Sequence, residues 1–582
     1  MSYPSLGRRA GLLLPVFSAR STLSWGIGDI ADAGRLGPWL RSSGLRLLQV
    51  LPVNDMATGQ TSPYSALSAM AIDPIYIAID DIDEVRALGV AALTAAERAA
   101  RDALNASPAV PYAATRSLKE AVLHRAFEYF HLHEWTAGSA RAADLRAYVE
   151  AEAWWLHDYA LFRVLHDHYD ARAWWDWPEG LAAHRPDALA EARAAHAEAV
   201  LEVCWRQWIA QRQWEAARRS LHGIALVGDL PFMVSGDSAD VWARQHLFSR
   251  EASVGTPPDA FSETGQDWGL PVYLWDAMRA DSFGWLRDRA RRMAAMFDGF
   301  RIDHLVGFYR TYWRPADDAP PFFVPAGEHD QRRLGEEVIG VFASGGSALI
   351  AEDLGTIPDF VRASLHELGL PGYKVLRWER DWHAEGQPFR DPAAFAASSL
   401  ATTGTHDTDM LADWWDGASE DERRAVLALP ALAVTGIEAS RPFDDTVRDA
   451  LLTLLLHEIE RAMGDDAARS APPGLVAAAL REIERRCLGP CSLADIAAAV
   501  GRSPAHVTTA LRKATGRSAG AWITAFRLAQ ARHLLLHADL PVDDVANRIG
   551  YKDTTHFIRM FRRDHGETPA AWRDAARRSR DA

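Results

Sequence analysis

Short apolar runs that end in polar residues recur along the first 410 residues, and stretches with helical periodicity separate them. This alternation is typical of parallel strands joined by helices, and it predicts an α/β barrel of the TIM type. Seven runs are predicted to be strands: Leu45–Val53, Pro74–Ile79, Gly223–Val234, Gly299–His304, Ala348–Leu354, Tyr373–Trp378 and Leu400–His406.

A helical, Trp-rich insertion at about 115–220 interrupts this rhythm. Its aromatic side chains could line a sugar cleft, but packing between helices is the expected role for most of them. The insertion also contains His166, Asp167 and His168, a cluster that resembles a metal site. Because adjacent positions on a helix face different directions, we expect no metal there.

The strand and helix rhythm stops after about residue 430, and from 447 onward the chain is helical and rich in Ala, Leu and Arg. The run MGDDAARSAPPG at 463–474 is polar and contains Pro and Gly, as linkers do. We therefore expect a barrel domain at 1–455, a helix and linker at 456–473, and an all-α domain at 474–582.

The composition is that of a soluble globular protein, with 48% hydrophobic and 24% charged residues among 582. Three cysteines do not make a disulfide framework, and the apolar run at 11–17 is broken by Pro15 and does not resemble a signal peptide. No stretch approaches the roughly 18 apolar residues of a membrane-spanning helix. These features predict a cytoplasmic protein with no membrane partner.

The charge is distributed unevenly along the chain. Residues 471–582 contain 18 Lys and Arg against 11 Asp and Glu, whereas residues 1–470 contain 45 against 67. An acidic body repels nucleic acid, but a basic region of about a hundred residues could bind it. The two parts are therefore expected to prefer different partners.

Three predicted strands end in acids: Asp303 in GFRIDH, Glu352 in LIAEDLG and Asp407 in TTGTHD. The ends of barrel strands meet at the face where barrel active sites lie. For Asp303 and its neighbour Arg301 alone, a surface ion pair at a solvated strand end would be an equal alternative. Three acids at one face favour a catalytic site instead.

Retaining glycosyl transfer requires an ionised carboxylate that attacks the sugar and a protonated one that donates to the leaving oxygen. Arg301 lies on the same strand face as Asp303 and would favour its ionised form. Glu352 would need a drier setting that raises its pKa. Asp407 could bind sugar hydroxyls.

Residues 8–450 resemble the amylomaltases, the 4-alpha-glucanotransferases of glycoside hydrolase family 77. Besides the three acid motifs, the resemblance rests on GLLLPVFS at 11–18, GIGD at 26–29, LLQVLPV at 47–53, SPYSALSA at 62–69, GDLPFMV at 228–234 and PPDAFSETGQDWGLPVY at 257–273. It implies that Asp303 is the nucleophile, Glu352 the acid and base, and Asp407 the stabiliser of the transition state. No metal or organic cofactor is expected.

The same resemblance implies the substrate contacts on maltooligosaccharides and other alpha-1,4-glucans. Tyr64 would stack on a sugar, while Asp229, Arg301 and His406 would bind around the cleaved linkage. The loop from Phe261 to Trp268 would fold over the acceptor. An acceptor held in this way would exclude water from the glycosyl-enzyme, which favours transfer over hydrolysis.

The C-terminal region contains an internal repeat with helix-turn-helix spacing. The matched pairs, 49 residues apart, are Asp495 with Asp544, Ile496 with Val545, Ala497 with Ala546, Val500 with Ile549 and Gly501 with Gly550. After one extra residue, Phe557 and Phe561 correspond to Val507 and Leu511. Ser503 and Pro504 are predicted to start the second helix of the first unit.

Residues 474–575 resemble the DNA-binding domain of AraC/XylS-type transcription regulators. In that family the second helix of each unit enters the major groove of double-stranded DNA, on successive turns about 34 Å apart. The residues expected to face bases are Ala505, Thr508 and Thr509 in the first unit and Thr554, Thr555, His556 and Arg559 in the second. Arg512 would contact phosphates or only solvate the surface.

The two resemblances meet where amylomaltases have their eighth strand. Here the chain passes from VRDALL at 447–452 into TLLLHEIERAM, which resembles the helix that precedes the DNA-binding domain of the regulators. The predicted barrel therefore lacks its eighth strand, which leaves open sheet edges at its first and seventh strands.

Three interpretations agree with this sequence. The first is a glucan transferase fused to a DNA-binding regulator domain. The second is a transcription regulator whose barrel senses maltodextrins with weak or no turnover. The third is a fusion of two gene fragments that has no function.

Overall fold

The computed structural model forms two compact units, residues 1–462 and 463–582. In the first unit it describes residues 4–57, 59–258, 265–317, 319–355, 357–381, 384 and 387–429. In the second it describes residues 479, 482, 483, 486, 492–515, 518–520, 523, 524, 527, 528, 531, 535, 540–551, 553–565 and 567–578. Within these residues no helix is both long and apolar enough to cross a membrane.

The strands of the first unit form one parallel and one antiparallel sheet. They are β1 (Gly11–Leu13), β2 (Leu47–Gln49), β3 (Ala225–Leu230), β4 (Phe248–Thr256), β5 (Gln266–Tyr273), β6 (Gly299–Ile302), β7 (Thr311–Pro315), β8 (Phe322–Val324), β9 (Ala348–Ala351), β10 (Gly372–Val375) and β11 (Ser399–Thr402). Among the described residues, β1, β2, β3, β6, β9, β10 and β11 pair in that order as a seven-stranded parallel sheet. The antiparallel sheet has the order β5, β4, β7, β8.

One strand predicted for the parallel sheet is wrong and one strand of that sheet was missed, and none of the four strands of the antiparallel sheet was predicted. Residues Pro74–Tyr76 and Ile79–Asp81 form short 3-10 turns, and Asp73 caps the first by accepting from the Ile75 N–H. A proline cannot donate to a strand ladder, but it suits the first position of a helical turn. The strand of the parallel sheet that was missed is β1, in which Leu12 pairs with Leu48 of β2. The other six predicted strands overlap observed ones.

Helices cover the parallel sheet, because β3, β6 and β9 are buried along their whole length and need packing on both faces. They are α1 (Ile30–Arg35), α2 (Gly37–Ser42), α3 (Asp83–Leu88), α4 (Ala95–Ala106), α5 (Tyr112–Phe130), α6 (Ala140–Ala151), α7 (Ala153–His168), α8 (Glu179–Ala182), α9 (Pro186–Ala195), α10 (Ala197–Ser220), α11 (Ala239–Ala243), α12 (Trp275–Ala280), α13 (Gly284–Met296), α14 (Val306–Tyr309), α15 (Glu328–Ala343), α16 (Asp359–Leu368), α17 (Leu411–Gly417) and α18 (Glu420–Leu427).

The insertion is helical as predicted, and it consists mainly of α5 to α10. Its tryptophans are mostly packing residues, since Trp155, Trp205, Trp208 and Trp214 are all buried in the main core. His166 is also buried, with its Nε2 3.0 Å from the Asp237 carboxylate.

The parallel sheet ends at β11 within the described part of the first unit. Residues 403–429 contribute α17 and α18 and no further strand. Residues 430–478, which include the predicted helix and linker, lie outside the described residues. The absence of an eighth strand therefore stays a prediction, whereas the parallel α/β architecture is observed.

The second unit contains α19 (Leu493–Ala499), α20 (Pro504–Thr515), α21 (Val542–Arg548), α22 (Thr554–His565) and α23 (Pro569–Arg578). The helix pairs α19/α20 and α21/α22 are two helix-turn-helix units, which confirms the predicted repeat. The matched apolar residues are buried in equivalent positions: Ile496, Ala497, Val507 and Leu511 in one core and Val545, Ala546, Phe557 and Phe561 in the other.

The turn of each unit is specified locally. Gly501 and Gly550 follow α19 and α21 with φ of 63° and 85°, a left-handed conformation that glycine adopts without strain. The Ser503 hydroxyl accepts from the His506 N–H at 3.3 Å at the start of α20, as predicted.

Candidate active site

Asp229 and Arg301 form the buried centre of the site. They lie opposite each other in the register between β3 and β6. Arg301 Nη1 donates to both carboxylate oxygens of Asp229, at 2.8 and 2.7 Å. These two contacts from one nitrogen are charge-assisted and hold this end of the guanidinium in place.

The other end of the same guanidinium faces two of the predicted catalytic acids. Arg301 Nη2 lies 3.0 Å from Asp303 Oδ1 and 3.7 Å from Glu352 Oε2. The sheet ladder continues past the strand ends to hold both acids, because the Asp303 N–H donates to the Leu230 carbonyl and the Glu352 N–H to the Ile302 carbonyl. The two side chains are 22% and 15% exposed, so each still reaches the cleft.

Burial, partly offset by Arg301 and reinforced by the charges of Asp229 and Glu352, raises the pKa of Asp303 to about 8. Arg301 lowers the pKa of Asp303 and so favours its ionised form, as predicted, but burial outweighs this effect and the net shift is upward. The pKa of Glu352 is also raised by burial, as predicted.

His304 is a site residue that the sequence prediction did not include, although it ends the GFRIDH motif. It has a φ of 44°, and its N–H donates to Glu352 Oε2 at 2.7 Å. Its ring contacts the edges or faces of Phe232 and Trp268, with centroids 5.5 and 4.8 Å apart. Burial lowers the pKa of His304 to about 4, so the ring is neutral at neutral pH.

Tyr64 joins the polar centre from the loop that follows β2. Its hydroxyl donates to Asp229 Oδ2 at 2.7 Å and accepts from Arg301 Nη1 at 3.2 Å. Its ring stacks on His406, with centroids 5.2 Å apart and planes 19° apart. Burial, together with the charge of Asp229, raises the pKa of Tyr64 well above its usual value, so the phenol stays protonated.

Asp407 lies at the open rim of the same cleft. Its side chain is 75% exposed, and its Oδ2 lies 3.2 Å from His406 Nε2. The Asp407 charge is one of those that raise the pKa of Glu352, so Asp407 lies on the same side of the sheet end as that acid. The structure therefore brings all three predicted acids to one cleft, but in unequal surroundings.

Two further residues are predicted to contact the substrate, and the structure describes one of them. Trp268 lies against His304, and its Nε1 donates to Gln266 at 3.1 Å. Phe261 lies outside the described residues. Gln49, at the end of β2, was missed: its amide donates to the Tyr373 hydroxyl at 2.8 Å. A polar residue that ends a buried apolar strand is the signal that marks it.

The predicted DNA-facing residues lie on the second helix of each helix-turn-helix unit. Those on the surface are Ala505, Thr509 and Arg512 of α20 and Thr555, His556 and Arg559 of α22. Thr508 and Thr554 are half-buried. The helix faces opposite the two cores are thus available to a ligand.

A parallel α/β sheet with paired acids at its strand ends is the arrangement that enzymes acting on glycosidic bonds can use. The chain belongs to the 4-alpha-glucanotransferase family, whose model matches residues 14–459. Residues 496–575 match the model of a helix-turn-helix domain. The resemblance predicted from the motifs is confirmed in both parts of the chain.

Curated relatives cover most of the first unit. The chain is 34% identical over 435 residues to a 4-alpha-glucanotransferase of Thermus thermophilus, which covers 72% of this chain and 82% of that protein. It is 30% identical over 422 residues to a 4-alpha-glucanotransferase of Chlamydia pneumoniae, covering 71% and 77%.

Solved structures agree with this assignment. The amylomaltase of Streptococcus agalactiae, solved in complex with acarbose, superposes with a TM-score of 0.64 at 25% identity, over 76% of this chain and 87% of that one. The amylomaltase of Corynebacterium glutamicum shares the fold, with a TM-score of 0.60 at 22% identity, over 85% of this chain and 66% of that one.

Proposed function

We propose that the first unit transfers segments of alpha-1,4-glucans between chains by a retaining double displacement, without a metal or organic cofactor. The observation that carries this proposal is the position of Arg301 Nη2 between Asp303 and Glu352, at 3.0 and 3.7 Å. One cation beside two mostly buried carboxyl groups provides the unlike pair of acids that the reaction requires.

Asp303 takes the role of nucleophile and Glu352 that of acid and base. The active form of the site is the one in which the two acids hold a single proton between them. Arg301 lies nearer to Asp303, and attraction between charges weakens with distance, so the negative charge is favoured on Asp303. The proton is then left on Glu352.

In the first step the Asp303 carboxylate forms a bond to the anomeric carbon of a bound glucan as the bond from C1 to O4 breaks. The electron pair of the broken bond stays on O4, which receives the proton of Glu352 and leaves with the shortened glucan. Asp303 is then a glucosyl ester, and Glu352 is ionised.

In the second step the 4-hydroxyl of an acceptor glucan attacks C1. Glu352 takes the hydroxyl proton while the ester bond to Asp303 breaks, which restores both acids. Two inversions at C1 retain the α configuration. Asp407 binds sugar hydroxyls and stabilises the transition state, and His406 binds near the linkage. The buried side chains of Asp229 and Arg301 support these groups from inside the sheet.

Aromatic residues hold the acceptor where water would otherwise react. Tyr64 stacks on a sugar and Trp268 with Phe261 covers the acceptor, so transfer is favoured over hydrolysis. The acarbose complex of the S. agalactiae amylomaltase supports an oligosaccharide-sized cleft in this fold.

Asp303→Asn tests the transfer. With maltotriose as donor and acceptor, the variant should release glucose at least a thousandfold more slowly, because an amide cannot form the ester. Asp276→Asn is a matched control, since that carboxylate is fully exposed on α12. Equal product from wild type and Asp303→Asn would remove the transferase proposal.

We also propose that the second unit binds double-stranded DNA through α20 and α22, in the manner of AraC-type domains, and that both activities share the cytoplasm. The support is the exposed polar face of each second helix and the excess of 18 basic over 11 acidic residues in 471–582. The base-facing residues proposed are Ala505, Thr508, Thr509, Thr554, Thr555, His556 and Arg559, with Arg512 at a phosphate.

Retention of the full chain on random-sequence duplexes of about 30 base pairs tests this proposal. Affinity should fall at least tenfold between about 50 and 200 mM salt. Arg559→Ala should weaken binding further, whereas Arg98→Ala on the surface of the first unit should not. An affinity independent of salt would contradict docking on phosphates.

A further inference from the structure

Helix α13 buries an arginine that neither mechanism above uses. Arg289 is 2% exposed, and no carboxylate of the described residues lies within ion-pair distance of it. Its guanidinium lies over the Trp285 ring, 4.9 Å from the centroid. Burying a cation without a counter-ion costs free energy, and the hydrogen bonds of the Arg289 guanidinium offset part of that cost.

Two of those hydrogen bonds go to the segment that follows β3, and the third goes to Tyr273 at the end of β5. Arg289 Nη2 donates to the Pro231 carbonyl, and Nη1 donates to the Phe232 carbonyl at 3.3 Å and to the Tyr273 hydroxyl at 3.3 Å. The Tyr273 hydroxyl in turn donates to the Phe232 carbonyl. Two successive peptide units are thus held by one guanidinium.

The first of these peptide units reaches Asp303. In a trans peptide the C=O and N–H point in opposite directions, so an arginine that holds the Pro231 carbonyl directs the Phe232 N–H the other way. That N–H faces the Asp303 carboxylate and lowers the pKa of the acid. The Phe232 ring also contacts His304, which donates to Glu352.

The positive charge of Arg289 also acts on Asp303, in the same direction as the hydrogen bonds to the Pro231–Phe232 peptide. The groups that face Asp303 are Arg301, Asp229, Glu352, Tyr64 and, from α13, Arg289. Tyr273 and Asp240 are the other acidic groups that face Arg289. Asp240 is itself occupied by the Trp285 and Ala69 N–H groups, both at 2.7 Å.

We propose that Arg289 is a positioning residue of the transfer reaction: it clamps the Pro231–Phe232 peptide so that the Phe232 N–H faces the Asp303 carboxylate. This inference rests on the proposed role of Asp303 as nucleophile. Arg289 acts through the peptide and does not touch the sugar.

Arg289→Met in the full chain tests the inference, because methionine keeps apolar volume but removes the donors and the charge. We expect kcat with maltotriose to fall about tenfold to a hundredfold while KM changes less than about twofold. The acid limb of the pH profile of kcat/KM should move to higher pH. Arg287→Met, on the exposed side of α13, should change none of these.

A second measurement does not depend on turnover. The infrared band of the protonated Asp303 carboxyl is identified by its loss in Asp303→Asn, and its titration midpoint should lie at higher pH in Arg289→Met than in wild type. An unchanged midpoint in a folded variant would overturn the inference. If wild type transferred no glucan but the midpoint still moved, the transferase proposal alone would fail.

Arg289→Lys covers the case in which Arg289→Met does not fold. Lysine keeps the charge but cannot hold both carbonyls in the fork geometry of a guanidinium. In Arg289→Lys, a lower kcat with a nearly unchanged titration midpoint of Asp303 would show that the hydrogen bonds to the two carbonyls affect the rate and that the charge affects the pKa. Wild-type kcat in this variant would exclude the clamp.

Discussion

The wall and the rim of the candidate site lie at the same edge of one sheet but differ in almost every physical respect. The wall comprises Asp229, Arg301, Asp303 and Glu352, at the ends of β3, β6 and β9. The rim comprises His406 and Asp407, after β11. The Asp303 and Glu352 side chains are 22% and 15% exposed, against 75% for Asp407.

Neighbouring strands explain the difference. The wall lies on central strands with partners on both sides, and each group in it is fixed by a charge or a main-chain donor. β11 is the last strand of the sheet in the described part of the first unit, and Asp407 contacts only its neighbour His406 within ion-pair distance there. The proposed nucleophile and acid are therefore held in place before substrate binds, whereas Asp407 is not.

The largest effect should come from the acid in the wall. Glu352→Gln removes the proton donor, so glucose release from maltotriose should fall about a thousandfold or more. An α-glucosyl fluoride donor should recover much of the first step, because fluoride leaves without protonation. Ester formation on Asp303, seen as a mass increase of the intact chain, measures that step.

The fluoride result decides between two roles of Glu352. If Glu352→Gln is equally slow with both donors, the residue holds the site together instead of supplying a proton. The Asp276→Asn control should behave as wild type with either donor.

A smaller loss is expected at the rim. Asp407→Asn keeps the size of the side chain and removes a charge that is already mostly solvated, so kcat should fall about a hundredfold, less than for Glu352→Gln. Steady-state rates of both variants with maltotriose check this order. A larger loss of kcat for Asp407→Asn than for Glu352→Gln would show that sugar binding buries the rim. The rim and the wall would then not differ in their contribution to the rate.

The pH profile tests the protonation of the wall. Because burial raises the pKa of Asp303 to about 8, the ionised fraction of the free site falls about tenfold per pH unit below that value. We expect kcat/KM with maltotriose to rise between pH 6 and 8. A flat profile from pH 5 to 8 would place the ionisation of the nucleophile well below this range.

The side chain of Tyr64 connects wall and rim, through its hydroxyl and its ring respectively, and loss of the hydroxyl should have a modest effect. Tyr64→Phe keeps the ring that stacks on His406 but removes the bonds to Asp229 and Arg301. Arg301 retains its two bonds to Asp229, so kcat/KM should fall only about threefold to tenfold. Tyr64→Leu, which also removes the stack, should be worse in KM. Equal effects of the two variants would mean that stacking contributes nothing.

The sequence predicted the site acids better than the strand that begins the sheet. Strand-end acids follow apolar runs of a fixed pattern, so Asp303, Glu352 and Asp407 could be found without coordinates. β1 is only three residues long and half-exposed, which gives it no strong periodic signal, while the apolar run at Pro74–Ile79 is buried without being a strand.

Contacts through the main chain could not be predicted. The link from Arg289 to Asp303 runs through a peptide unit, and the donor to Glu352 is the backbone of His304, which any residue could supply. The pKa of Asp303 depends on burial and on two further carboxylates, whose distances follow from strand register and not from the local motif.

The smallest effect concerns stability, and it again separates wall from rim. A carboxyl whose pKa is raised in the folded state, from 3.8 to about 8 for Asp303, binds more protons folded than unfolded between these values. Stability therefore falls as pH rises through this window. Asp303→Asn should remove this penalty and raise the melting temperature of the first unit by roughly 2 °C at pH 8, with almost no gain at pH 4. Asp407→Asn should leave it unchanged at both pH values, because that side chain is mostly solvated. Calorimetry of the full chain measures both, and a gain for Asp303→Asn that is equal at pH 4 and pH 8 would show that the buried charge is not its cause.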